Sequence, residues 1–145
     1  MAEPEYSGRC LCGGVSYVYR GALRPVVACH CEQCRRTSGH FVAATHGYRD
    51  RLEVRDADGC LRWYESSPGV HRGFCGACGA SILWERAGSG RVSIMAGTLD
   101  QPTGLRLVQH IYAAYAGDYY TIDPDLPQAP EGAPLPGIPG ATTAG

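Results

Sequence analysis

The segment Cys29-His30-Cys31-Glu32-Gln33-Cys34 decides how the rest of the chain is read. Its spacing, Cys-x-Cys-x2-Cys, brings three soft sulfur donors to one point. Alternate residues of an extended strand share a face, so the single residue between Cys29 and Cys31 sets both sulfurs on one side. Two further residues let the chain turn and return Cys34 beneath them. Three protein ligands suit a tetrahedral zinc ion whose fourth position is left to water or substrate, the arrangement of a metal that does chemistry. A zinc that only holds a fold together takes four.

The other cysteines extend this reading. The chain has eight, at positions 10, 12, 29, 31, 34, 60, 75 and 78. It opens Met1-Ala2-Glu3-Pro4-Glu5, with no charged, apolar and small-residue leader, which predicts a reducing, cytoplasmic setting. There, closely spaced cysteines serve metals or catalysis rather than disulfides. Cys10-Leu11-Cys12 reads as a second same-face strand pair, and Cys75-Gly76-Ala77-Cys78 as a knuckle turned by glycine. Together they supply four sulfurs, enough for a closed, structural zinc. Cys60 has no partner in this scheme and reads as a small, half-buried apolar residue.

Composition bounds the class of function. At 145 residues the chain is one domain with a formal net charge of −1. Thiolates bound to zinc make the balance more negative still, so nothing favours nucleic acid or an anionic membrane as partner. No apolar run approaches the ~20 residues needed to cross a bilayer. All 13 basic residues are arginine, which excludes Schiff-base chemistry and a P-loop lysine.

The remaining pattern is β-rich. Val15–Tyr19 alternates as a half-buried strand, and Pro25–Ala28 runs into the cysteine cluster as a short buried one. Glu32–Ser38 suits a turn or two of helix, stopped by Gly39. Residues 41–45, 52–54, 61–64, 70–74, 80–84 and 92–95 read as strands, with Leu107–Tyr115 as one more. Asp58-Gly59 and Gly88-Ser89-Gly90 read as hairpin turns. The tyrosines, Trp63 and Trp84 fall in strand-like segments and are expected in the core. Residues 6–127 form the predicted zinc-binding domain; 128–145, rich in Pro, Gly, Ala and Thr, are expected to be a disordered tail.

These motifs resemble those of the glutathione-dependent formaldehyde-activating enzymes, whose domain is shared with centromere protein V. The likeness runs from about Ser7 to Gln128. It rests on Gly8-Arg9-Cys10-Leu11-Cys12-Gly13-Gly14-Val15, on Cys29-His30-Cys31-Glu32-Gln33-Cys34-Arg35-Arg36 and on Phe74-Cys75-Gly76-Ala77-Cys78-Gly79. Gly97-Thr98-Leu99-Asp100 and His110-Ile111 fit it as well. The resemblance implies an all-β fold of the β-tent kind. It also implies two zinc ions per chain, a structural one on Cys10, Cys12, Cys75 and Cys78 and a catalytic one on Cys29, Cys31 and Cys34. The implied reaction is a carbon–sulfur lyase equilibrium, the reversible addition of glutathione to formaldehyde. The thiol itself stays open between glutathione and another low-molecular-weight thiol, and so does the oligomeric state, a homo-oligomer included.

Elementary chemistry agrees with that implication. A free thiol is mostly protonated at neutral pH, and a coordinating metal deprotonates it. Near the motifs, His30 falls on the strand face opposite Cys29 and Cys31, as a ligand or base, or simply as a packed residue. Arg35 and Arg36 suit either the carboxylates of a peptide thiol or a solvated helix face. Asp100 suits either substrate orientation or a turn cap. A second class of function stays open, a zinc-stabilised binding module in which Cys60 or a histidine closes the three-cysteine site.

Overall fold

The computed structural model describes residues 3–140. Strands β1 (Glu5–Arg9), β2 (Ser16–Arg20) and β5 (Leu52–Arg55) form an antiparallel sheet in the order β1-β2-β5. A second sheet holds β3 (Val26–Cys29), β4 (Val42–Tyr48), β6 (Leu61–Ser67), β7 (Val70–Cys75), β8 (Ser81–Arg86), β9 (Arg91–Met95) and β10 (Leu107–Ile111). Its order is β10-β3-β4-β9-β8-β7-β6, with β10 parallel to β3 and every other pair antiparallel. One α-helix, α1 (Glu32–Ser38), follows β3. The fold is all-β, as the alternating patterns predict, and no described helix is long and apolar enough to cross a membrane.

One core joins the two sheets. Tyr17, Tyr19 and Leu52 of the small sheet pack with Ile82, Leu83, Val92 and Ile94 of the large one. Both tyrosines are fully buried yet keep partners for their hydroxyls: Tyr17 bonds Thr98 Oγ1 at 2.7 Å, and Tyr19 accepts from Tyr48 N at 2.9 Å. Glycine makes room for each ring. A Cβ on Gly47 would lie 2.4 Å from Tyr19 Oη and 2.8 Å from Leu23 Cδ2. Gly47→Ala is therefore expected to cost about 1–3 kcal/mol by overpacking. Calorimetry should show a melting temperature lower by several degrees, and an unchanged melt would contradict this account of the core.

Several expectations are corrected. Strand β1 carries no alternating pattern of its own: Gly8 is its only buried position, and pairing with β2 holds it. Cys10-Leu11-Cys12 lies beyond the end of β1 in a bend, with Leu11 81% exposed, and is not a strand pair. Asp58-Gly59 turns the chain without making a hairpin, since β5 pairs with β2 and β6 with β7. The last strand stops at Ile111, because Tyr112 takes a left-handed φ of 54° and a 3₁₀ turn (Ala113–Tyr115) follows. Trp63 and Tyr64 lie on β6, an edge of the large sheet, and they, like Tyr115 and Tyr119, are exposed rather than in the core.

The segment expected to be disordered follows β10 instead. His110 N donates to Pro127 O at 2.9 Å, Ala129 N to His110 O at 3.0 Å, and Tyr112 N to Glu131 O at 2.9 Å. Ile138 is buried. As an edge strand, β10 has outward N–H and C=O groups that need partners, and a proline-rich extended segment can supply them without large apolar side chains. Residues 141–145 of that tail lie outside the described residues.

Candidate metal centres

The chain ends of both sheets converge on four sulfurs. Cys10 and Cys12 flank the exit from β1, and Cys75 and Cys78 flank the turn from β7 into β8. All four sulfurs lie within 4.8 Å of one another. The Cys10–Cys12 separation is 3.7 Å and the Cys12–Cys75 separation 3.8 Å. A tetrahedral zinc with bonds of about 2.3 Å sets its sulfurs roughly 3.8 Å apart, so the donor set fits the ion. A disulfide would need about 2.05 Å. Backbone N–H groups of Val15, Gly14 and Cys78 aim at the sulfurs of Cys10, Cys12 and Cys75 at 3.3–3.5 Å, donors that stabilise thiolates. Donation from the Cys12 N–H brings the Cys78 thiol down to about 6. The cluster could hold a metal ion, and it would clamp the small sheet to the large one.

The second cluster stands on α1. Cys29 ends β3, Cys31 is the helix N-cap, and Cys34 sits in the first turn, with all three sulfurs within 4.8 Å of one another. The helix forms because the Cys31 side chain accepts from Cys34 N at 3.4 Å. It stops because Gly39 takes φ 80°, and its N–H bonds Arg35 O at 2.8 Å. Hydrogen bonds from the Cys29 and Cys34 thiols hold Cys31 down to about 2, with the Cys34 N–H and the Arg72 guanidinium adding to them. Donating to Cys31 pushes Cys29 up. Three sulfurs converging in this way could hold a metal ion as well. Among the described residues no fourth Cys, His, Asp or Glu joins this group.

The residues that could have closed the second site point elsewhere. Cys60 adjoins the first cluster: a Cβ on Gly14 would lie 3.1 Å from Cys60 Sγ and 3.3 Å from Cys12 Sγ. His30 is 1% exposed, with Nδ1 against the Tyr120 hydroxyl and Nε2 2.9 Å from His110 Nδ1. Burial holds its ring down to about 4, so it is neutral at neutral pH. His40 meets Tyr119 Oη at 2.5 Å, His46 meets Ser93 Oγ at 2.8 Å, and His71 pairs with Glu65.

Of the polar candidates, Arg36 makes an exposed i,i+4 pair with Glu32, the solvated-face role. Arg35 keeps its Nε buried and unpartnered. Asp100 accepts from Ser7 Oγ at 2.7 Å and meets neither cluster. Sequence reasoning missed Arg72 of β7. Both its Nη atoms lie 3.9 Å from Cys34 Sγ, while Nε donates to Ser66 Oγ at 3.0 Å and Nη2 to Gln33 Oε1 at 3.2 Å. The one hint was an arginine three residues before the Cys75 knuckle, in Arg72-Gly73-Phe74-Cys75.

Comparison with known proteins sets the chain beside a family and a solved structure. The profile of the family described as glutathione-dependent formaldehyde-activating enzyme matches residues 5–115. A crystal structure of a Rhodobacter sphaeroides protein is similar with a TM-score of 0.55 at 19% identity, over 84% of this chain and 98% of that one. Likeness at that identity speaks to the fold alone. Comparison with the curated proteins gives no match.

Proposed function

We propose, from the premise that the chain belongs to the glutathione-dependent formaldehyde-activating enzyme family, that it is a zinc-dependent carbon–sulfur lyase acting on a thiol–aldehyde adduct. The observation that carries this reading is the three-sulfur group on α1, which no fourth ionisable donor joins among the described residues. Cys29, Cys31 and Cys34 would hold a zinc with a free position, and Cys10, Cys12, Cys75 and Cys78 a closed structural one. When bound at the open site, zinc supplies Lewis acidity and a seat for a thiolate.

The chain's own residues set the conditions. The three thiolates make the site electron-rich and anionic, which favours a soft sulfur partner over water activated for hydrolysis. Arg72 offsets part of that charge beside Cys34. The family description points to formaldehyde as the aldehyde, and the thiol is glutathione or another low-molecular-weight thiol. In the reaction the S-hydroxymethyl adduct gives a thiolate, a proton and formaldehyde. The carbon–sulfur bond breaks with its electron pair going to sulfur, and the hydroxyl proton is released to solvent as the carbonyl forms. No protein nucleophile is required, which agrees with a site built of ligands and one arginine.

The test is exchange NMR between formaldehyde and its thiol adduct, with and without the zinc-loaded protein. Exchange is expected to accelerate with at least one low-molecular-weight thiol. No acceleration with any of a panel of thiols would reject the lyase and leave a zinc-bound scaffold.

A further inference from the structure

Next to the three-sulfur group the large sheet opens into a cavity of 270 Å³. Three of its lining residues touch the cluster's own framework. Val42 is the register partner of Cys29, Thr37 donates to Cys34 O at 3.2 Å, and Arg72 reaches Cys34 Sγ. No cysteine of the group lines the cavity, and Arg72 is the side chain that reaches both.

Its walls are chemically one-sided. Val42, Phe74, Leu83 and Met95 make it apolar, with the Tyr64 ring on the exposed edge strand. Arg72 is the one charged residue of the lining, and no acidic side chain belongs to it. Of the five N–H donors of that guanidinium, one goes to Ser66 and one to Gln33, and Nη1 and Nη2 both reach the sulfur of Cys34, which leaves one N–H of Nη1 without a partner among the described residues. A guanidinium so placed carries the one positive charge of the lining and can give that N–H to an oxyanion. An ammonium group in the same cavity would find no acidic side chain in the lining and would face the Arg72 guanidinium instead.

We infer that the thiol half of the substrate is a monoanionic thiol with an apolar body. Its oxyanion rests on Arg72, and its body lies between Val42, Phe74, Leu83 and Met95. Glutathione, with an ammonium group and two carboxylates on a polar backbone, is a poor match for that lining. This inference rests on the lyase reading of the site and names the substrate class for it; Arg72 sets specificity and positions the thiol.

The experiment is calorimetric titration of the zinc-loaded full chain with three thiols, 2-mercapto-3-phenylpropionate, its uncharged amide and glutathione. Exchange NMR with formaldehyde is run on each. The acid is expected to bind about tenfold or more tighter than either the amide or glutathione, the scale of one charge-assisted pair. Arg72→Gln should abolish the preference for acid over amide, and Arg72→Lys should restore part of it. Because Arg72 also ties α1 to Ser66, zinc content and melting are measured for both variants, and the comparison of thiols on the unaltered protein stands without them. Glutathione binding as tightly as the acid, while still being turned over, would overturn the inference and leave the lyase intact. An unchanged acid-to-amide ratio in a folded, zinc-replete Arg72→Gln protein would remove Arg72 from recognition. If no thiol binds or exchanges, the lyase reading fails and the inference with it.

Discussion

Cys75→Ser is expected to give a protein that no longer folds to a stable, soluble domain. Cys75 is fully buried at the end of β7, 3.8 Å from the sulfur of Cys12, which belongs to the other sheet's connection. Metal bound by four thiolates contributes about 10–16 kcal/mol to folding, while a domain's whole stability is about 5–15 kcal/mol. Removing one ligand forfeits only part of that, but a part of a few kcal/mol or more is comparable to the domain's whole margin of stability. The same outcome is expected for Cys10→Ser, Cys12→Ser and Cys78→Ser. Soluble yield, far-ultraviolet circular dichroism and zinc content check it together. A Cys75→Ser protein that melts like the unaltered chain with two zinc ions bound would contradict the clamp.

Changing the other cluster should separate stability from chemistry. Cys34→Ser is expected to leave a folded protein with one zinc and a lyase rate at least about 100-fold lower, since even indirect damage to a metal site costs 10–100-fold. The contrast follows from position. Cys29, Cys31 and Cys34 belong to one strand end and one seven-residue helix, not to a junction between sheets. Elemental analysis, melting and exchange NMR on the same preparation decide the matter. If Cys34→Ser proved as unstable as Cys75→Ser, the second site would be structural too, and the binding-module reading would gain.

Much of this architecture was legible in residue spacing. Cysteines two or three positions apart are held near one another by covalent geometry, so the two sulfur groups could be named before any strand was paired. Alternation placed Tyr17 and Tyr19 in the core, and Gly39 marked the end of α1. Contacts made by sheet order were not legible. Arg72 lies 38 residues from Cys34 and meets it only because the β6–β7 hairpin stands beside the helix. Cys60 adjoins the first cluster through the same kind of long-range packing. Trp63 misled because strand-like composition does not say whether a strand is central or at an edge. The stretch after Pro127 misled because backbone bonds to an open strand edge leave no trace in hydropathy.

The central claim is that the second cluster keeps one metal position for a substrate thiolate. Absorption of the cobalt-substituted protein, titrated with a small thiol, tests it most directly. The account predicts one cobalt already bound by four sulfurs and unmoved by the titrant. The second should gain sulfur-to-cobalt charge-transfer intensity that saturates at one thiol per chain and is absent from Cys34→Ser. Two cobalt ions each bound by four sulfurs before any thiol is added, with no change on titration, would contradict it.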